Sequence, residues 1–316
     1  MDPLSDVLRA VRLSGAYFYL VEAAAPWTVA TAAARDLVPR ILPDAEHLIS
    51  YHILVSGSCW GGRIGEPAVR MRPGDVLLFP YGDAHVMGSE AESSAGAGRA
   101  TASTERYPET VLLGPSDERD TVLVCGFLGC DARPFNPLLT SLPRRLHFPG
   151  FMDGWLAHFP QQVVAESRAA RVGSETALAR MAELMFIEVV RHHVQNLPPQ
   201  QTGWLAGLQD PMVGAAIASL HERPAHPWTL DELARAVTSS RSVLAERFAR
   251  FVGVTPMLYL TRWRLQLAAE QLLGGSDNVA AIGARVGYDS EAAFSRAFKR
   301  DTGVSPTAWR RAHQRA

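Results

Sequence analysis

The spacing of apolar positions along the 316-residue chain changes character partway through. From Ala16 to Phe148 apolar residues come in short, often alternating runs bounded by turn residues, the pattern of β-strands. The runs are Tyr17–Val21, Glu46–Val55, Trp60–Ile64, Val69–Met71, Val76–Phe79, Thr110–Leu113 and Thr121–Leu128. Turn residues follow one another closely there, as in an all-β barrel or jelly roll. Ahead of them, Leu4, Val7, Leu8 and Val11 predict one short amphipathic helix. Beyond Phe151 the period becomes helical: a helix over 154–167, interrupted near Pro160, then a longer one from Ser174 to Gln195. In the longer one Leu178, Met181, Met185 and either Glu188 or Val189 form a stripe that serves as a contact between two copies or as a cover for the barrel. The fold class expected is α+β multidomain. A barrel-like domain with flanking helices is assigned to 1–150, a helical linking region to 151–203, and an all-α domain to 204–316. Leu197-Pro198-Pro199-Gln200-Gln201-Thr202-Gly203 reads as a semi-rigid linker, and the patternless run 91–104 as a disordered surface loop.

The last ninety residues repeat one short design. Sliding the chain by fifty positions lays Ala234-Arg235 on Ala284-Arg285, Ser240 on Ser290, Phe248 on Phe298, Arg250 on Arg300, Gly253-Val254 on Gly303-Val304 and Pro256 on Pro306. An internal repeat of this density marks two copies of one supersecondary unit. In the first copy Thr229-x-x-Glu232 has the form of a capping box and starts a helix with Leu230, Leu233, Ala234 and Val237 on one face. Thr238-Ser239-Ser240 breaks it and caps a second helix, 241–251, expected to bury Val243, Leu244, Phe248 and Phe251, with Gly253 as its stop. The second copy has Asn278 as cap, a helix over 279–286, a turn at 287–290, a helix over 291–301 with Phe294 and Phe298 inward, and Gly303 as stop. Short helix, tight polar turn, second helix is the helix-turn-helix plan, whose second helix enters the DNA major groove. Between the copies Thr255-Pro256 opens a helix running to about Leu273. Its seventeen residues span about 26 Å, long enough with the flanking units to hold two reading helices about one DNA turn apart.

On these residues the stretch 210–312 resembles the AraC/XylS-type DNA-binding domain. The run from Val279 through Gly287-Tyr288, Ser290, Phe294-Ser295-Arg296-Ala297-Phe298-Lys299-Arg300 to Gly303-Val304-Ser305-Pro306 fits that family's signature closely. The resemblance implies a transcription regulator, without enzyme activity, partnered by an operator in double-stranded DNA, by a second copy of itself, and by RNA polymerase if it is an activator. Residues of the second helices facing away from the core are the candidate DNA readers: Ser240, Arg241, Ser242, Ala245 and Glu246 in the first unit, Ser290, Glu291, Ala292, Ser295, Arg296 and Lys299 in the second. Arg241 and Arg296 suit guanine, Glu246 suits cytosine N4, and Lys299, the sole lysine, suits a phosphate.

Gly74, Pro80, Gly82 and His85 stand in the order Gly-x5-Pro-x-Gly-x2-His, which is similar to the second cupin motif, with Ser89 where that motif ends in Asn. The first motif, His-x-His and Glu, survives only as His52. The resemblance implies a cupin sensor domain that binds a small-molecule or redox effector; the alternative is a cupin metalloenzyme with an accessory helical domain. His52, Cys59, His85 and Cys125 are the effector or metal candidates, a soft N/S set of the kind zinc or another divalent ion takes. Set against that is a plain core role for all four. Cys125 and Cys130 are the redox candidates. Gly57-Ser58-Cys59-Trp60 has the look of a papain-type nucleophile, but Ser56 replaces the cysteine of that motif and the surroundings alternate like a strand.

Net charge is −1, unevenly placed. From 210 onward there are 14 basic and 10 acidic residues, while the acidic excess lies before it. A modestly basic C-terminal domain suits phosphate contact. Three cysteines argue for reduced thiols in a cytoplasm. Neither a secretory signal nor an eighteen-residue apolar run is expected.

Overall fold

The computed structural model describes all residues except 1, 12, 92–108, 133, 153–155, 170, 199 and 314–316. The expected loop at 91–104 and the start of the expected helix at 154 thus lie largely outside the described residues. The chain forms two compact units, neither continuous in sequence. One comprises Leu13–Asp131 and Leu142–Glu188; the other comprises Met1–Arg12, Ala132–Ser141 and Val189–Ala316.

Among the described residues the first unit holds ten strands: β1 (Ser14–Ala23), β2 (Thr28–Thr31), β3 (His47–Ser56), β4 (Cys59–Arg63), β5 (Val69–Met71), β6 (Val76–Phe79), β7 (His85–Gly88), β8 (Glu109–Leu113), β9 (Thr121–Cys130) and β10 (Leu146–Phe148). They make a six-stranded sheet, order β10-β6-β3-β9-β1-β8, and a four-stranded sheet, order β2-β7-β4-β5. All pairs are antiparallel except β1 with β8. The two sheets are separate hydrogen-bonded sets, so the barrel-like domain is a two-sheet sandwich and not a closed ring. Its core takes alternate residues of both sheets, among them Tyr17, Tyr19, Leu54, Cys59, Leu77, Phe79, Met87, Leu123, Cys125 and Phe127, the period-2 logic of a strand with one face inward.

Helices α2 (Ala34–Ile41) and α4 (Phe159–Ala169) and most of α5 (Ser174–Gln195) complete this unit. Gly82 turns with φ +61° where a Cβ would lie 2.1 Å from the Ala34 side chain, which is why glycine stands between β6 and β7. Pro160 does not interrupt a helix as expected. It is the second residue of α4, in the first turn, where a missing N–H leaves no hydrogen bond unmade.

The second unit is helical: α1 (Pro3–Ala10), α3 (Pro137–Ser141), α6 (Trp204–Gln209), α7 (Pro211–Glu222), α8 (Leu230–Ala236), α9 (Arg241–Val252), α10 (Pro256–Gly274), α11 (Val279–Arg285), α12 (Glu291–Thr302) and α13 (Pro306–His313). The spacer α10 is its axis. A buried polar set ties the two distant segments of chain to it. Gln266, in the middle of α10 and 2% exposed, donates to Ala10 O (2.8 Å) and accepts from Phe135 N (2.9 Å). His221 lies flat on Trp263 at 4.1 Å and contacts the Tyr259 hydroxyl at 2.8 Å, which also accepts from Trp204 Nε1. Burial pushes His221 down to about 4 although Asp6, 3.4 Å away, pulls the other way, so the ring is neutral at ordinary pH and this contact is not a charge pair.

Candidate functional site

The second helix of each repeat is fixed at both ends by the residue its sequence calls for. In α9 the Ser240 hydroxyl accepts from Val243 N and Gly253 closes the helix at φ +79°. In α12 Ser290 accepts from Ala293 N and Gly303 closes at φ +83°. These are the N-cap and left-handed stop that remove orphan donors and carbonyls at helix ends. The capping box before α8 is half made. Thr229 accepts from Glu232 N, but the Glu232 carboxylate turns to His226 Nε2 at 2.7 Å.

Facing inward are Leu244 and Phe248 from α9, and Phe294, Ala297 and Phe298 from α12. Facing outward and exposed are Ser240, Arg241, Ser242, Glu246, Ser290, Glu291, Ala292, Arg296 and Lys299, with Ala245 and Ser295 half-buried. Val243, expected in the core, is 49% exposed. It is the third residue of α9, and the buried stripe there needs only Leu244 and Phe248, four residues apart. Arg241 lies 3.6 Å from Asp231, but both side chains are exposed, so the pair is weak and the guanidinium is free to take another partner.

The repeat is not a uniform fifty-residue slide. Caps Thr229 and Asn278, cores Leu233 and Ile282, and turn bonds Ser239 N→Ala234 O and Tyr288 N→Gly283 O are related by forty-nine. After the turn, Ser240 and Ser290, Phe248 and Phe298, and Tyr259 and Trp309 are related by fifty. The second turn is one residue longer, and the matching Ala-Arg pairs at 234 and 284 are not structural equivalents.

Within the sandwich, β3 and β9 pair His52 with Cys125. His85, at the start of β7, comes from the facing sheet. His52 Nδ1 is 3.0 Å from Cys125 Sγ, and His52 Nε2 is 2.8 Å from His85 Nε2. His85 Nδ1 is 2.8 Å from Asp83 O. A carbonyl can only accept, so His85 carries its proton on Nδ1 and presents a bare Nε2. His52 therefore donates from Nε2, and its bare Nδ1 accepts from the Cys125 thiol. Tyr19, with Thr31 beside it, adjoins Cys125 in the same core. Burial, reinforced by the neighbouring His85, holds His52 well below its ordinary value, and burial holds His85 near 4. Both rings are neutral, as a directional relay requires. His85 also stacks on Phe79 at 4.1 Å.

This arrangement does not suit a cupin metal. The two Nε2 atoms face each other at hydrogen-bond distance, while the other His52 nitrogen is turned to sulfur, so the groups do not converge on one point. Among the described residues no three His, Cys, Asp or Glu side chains gather to hold an ion. Ser89, in place of the motif's Asn, bonds the Trp27 backbone instead. Cys59 opens β4 in the same core, and burial pushes its thiol up to about 12, with Asp75 adding to it. A nucleophile needs the opposite environment. Cys125 and Cys130 are five residues apart on one strand and so face opposite sides of it, about 17 Å apart, which forbids a disulfide between them. Burial raises both thiols, Cys130 to about 12.

His52, His85 and Cys125 were legible as candidates, whereas Tyr19 and Thr31 were not. Tyr19 falls in the run Tyr17–Val21 read as a strand, but no sequence signal distinguishes a tyrosine beside this cluster from any other core tyrosine.

Two capped helix-turn-helix units on one spacer, joined to a cupin sandwich, define a DNA-binding transcription regulator. Residues 2–195 match the cupin family model and residues 233–312 match a helix-turn-helix domain. The chain is 32% identical to an AraC-like transcription regulator of Streptomyces antibioticus, over 98% of this chain and 99% of that one. It is 28% identical, over 98% and 99%, to the HTH-type transcriptional regulator AlkR of Acinetobacter baylyi. It is 29% identical, over 83% and 84%, to the RCS-specific HTH-type transcriptional activator RclR of Escherichia coli. The chain belongs to the AraC-type regulators that carry a cupin N-terminal domain. Among the described residues no helix is long and apolar enough to cross a membrane.

Proposed function

We propose that α9 and α12 read an operator in successive major grooves, and that the sandwich adjusts this binding in response to a small molecule. The observation that carries the first half is the pair of outward faces: Ser240, Arg241, Ser242, Ala245 and Glu246 on one, Ser290, Glu291, Ala292, Ser295, Arg296 and Lys299 on the other. Each is carried on a helix fixed at both caps. Arg241 and Arg296 take guanine, Glu246 takes cytosine N4, and Lys299 takes phosphate. The chain works in the cytoplasm, as a dimer of two copies. The E. coli relative is an activator, and the same role here makes RNA polymerase a partner. The sensor is assigned to 1–150, the dimerisation and linker region to 151–203 and the reader to 204–316, with Met1–Arg12, Ala132–Ser141 and Val189–Gly203 contributing to the helical unit as well.

A small-molecule signal is favoured over a thiol switch because Cys125 and Cys130 are buried, neutral and unable to pair with each other. His52, His85 and Cys125 are the polar groups an effector would meet inside the sandwich. Thiol titration of the native protein is expected to find Cys59, Cys125 and Cys130 unreactive until it is denatured; rapid labelling of Cys125 or Cys130 would restore the redox reading.

Arg296→Ala is expected to weaken operator binding by about 1–3 kcal/mol and to relax preference at one base pair. Unchanged affinity and unchanged base preference in a titration against substituted duplexes would remove Arg296 from the reading face.

A further inference from the structure

The spacer carries one side chain that reaches both helix-turn-helix units. Arg264, midway along α10, donates from Nε to Pro224 O (2.6 Å), from Nη2 to His226 O (2.7 Å) and from Nη1 to Gly287 O (3.2 Å). Pro224 and His226 lie in the segment that enters the first unit. That segment is itself braced, by His226 on Glu232 of α8, by Trp228 Nε1 on Arg223 O, and by the Arg223 guanidinium over the Trp228 ring. Gly287 lies in the turn of the second unit, three residues before the cap of α12. The two backbones meet directly. A Cβ on Gly287 would lie 2.6 Å from Ala225 O and 2.8 Å from Ala225 Cα, at φ +91°.

A helix such as α10 fixes the distance between the units it joins but leaves each free to swivel about its own packing. Of the three carbonyls bound by Arg264, two lie in the segment that leads into the first unit and one in the turn of the second, and one planar guanidinium fixes all of them at once, a geometry that lysine's single ammonium cannot reproduce. We infer that Arg264, with the close approach of Gly287 to Ala225, is a positioning residue that locks the two reading helices in one rotational phase, so that the protein selects operators by the spacing of their two half-sites as well as by their bases. DNA turns once in about 10.5 base pairs, so each added or removed pair displaces one half-site by about 34° around the helix and by about 3.4 Å along it. A phase-locked pair cannot follow that displacement; a swivelling pair can. This rests on the proposal that both α9 and α12 read DNA.

The test uses the full chain and a duplex selected by it from a random-sequence pool, then the same duplex with one or two base pairs inserted or deleted between the protected half-sites. Footprinting of the parent duplex must show two major-groove faces protected. Protection of one face only overturns the double-reading proposal, and the phase lock with it. With both faces protected, the wild type is expected to lose about tenfold or more in affinity at altered spacing, the size of losing contacts to a base pair. Arg264→Met is expected to shrink that loss to about threefold or less, with Arg264→Lys between. A merely structural role would lower affinity at every spacing in the same proportion and leave the shape of the spacing profile unchanged. That result in a folded Arg264→Met or Arg264→Lys protein, shown by its thermal melt, overturns the proposal. Should neither variant fold, the wild-type profile alone decides: equal affinity across spacings overturns the lock, and a sharp optimum supports it.

Discussion

The two helix-turn-helix units share a local code and differ in what fastens them. In both, a small polar residue caps the second helix, a phenylalanine at the same place is fully buried, and a left-handed glycine ends it. Position 247 in α9 is Arg and its counterpart 297 in α12 is Ala. Arg247 Nε donates to Asp210 at 2.9 Å, and that carboxylate also accepts from Met212 N and Val213 N at the start of α7. The first unit is thus pinned by a charge. Ala297 instead packs among Leu265, Leu272, Ile282, Phe294, Phe298 and Trp309, so at this position the second unit has an apolar contact where the first has a charge. Surface exposure of the reading face does not depend on which anchor lies beneath, so the sequence repeat can be close while the thermodynamics of the two halves differ.

The strongest way to break that contrast is to remove the charge and keep the cap. Asp210→Asn still caps α7, since Asn is as good an N-cap as Asp, but it loses the charge-assisted bonds to Arg247. A loss of about 1.5–3 kcal/mol is expected at neutral pH. Burial opposes ionisation of Asp210, yet the hydrogen bond from Arg247, with the Val213 and Met212 amides, outweighs it and holds the carboxyl below its usual 3.8. A depressed folded value gives stability that is complete above the unfolded value and is lost as pH falls through the folded one. The gap between wild type and Asp210→Asn is therefore expected to be constant from pH 7 to about 5 and to close below 3.8. Amide exchange resolved by residue is expected to place the loss in α7 and α9 and leave α12 protected. Equal loss in α12 would show that the two units unfold as one and that the separate anchors have no separate consequence.

Much of this was legible because it is local. Thr229, Ser240, Thr255 and Asn278 are caps in sequence and caps in space, Ser290, read as the end of a turn, caps α12, and Gly253 and Gly303 have the left-handed angle their positions demand. Single-residue slips within the repeat were not legible. Ala and Arg are common on helix surfaces, and two identities at 234–235 and 284–285 outvoted the less similar but correct pairing of Leu233 with Ile282. Arg247, Arg264 and Gln266 were hidden for another reason. A polar residue within a helix reads as solvated surface until the long-range partner is known, and theirs lie 37, 40 and 256 residues away in the chain. The relay was half legible: motif spacing marked His85, but the pairing of His52 with Cys125 depends on strand register, which alternation alone leaves open.

A finer contrast lies in the turns. Thr238 and Gly287 hold equivalent places, each one residue past its helix cap, and both have positive φ, +53° and +91°. Glycine adopts that region freely, whereas a β-branched residue there carries strain of about 1–3 kcal/mol. The first turn has no neighbour that needs the threonine side chain, which is exposed. The second turn needs glycine twice over, for its angle and for Ala225 against its Cα. Thr238→Gly is therefore expected to stabilise the protein, with the relief of strain partly offset by the 0.5–1 kcal/mol or so that glycine's extra freedom adds to the unfolded chain. The net gain expected is about 0.5–1 kcal/mol, a rise of a few degrees at most in the melting temperature. A fall in stability would mean that the threonine makes up for its strained backbone through its side chain, and that the two turns, alike in hydrogen bonding, hold their helices by different means.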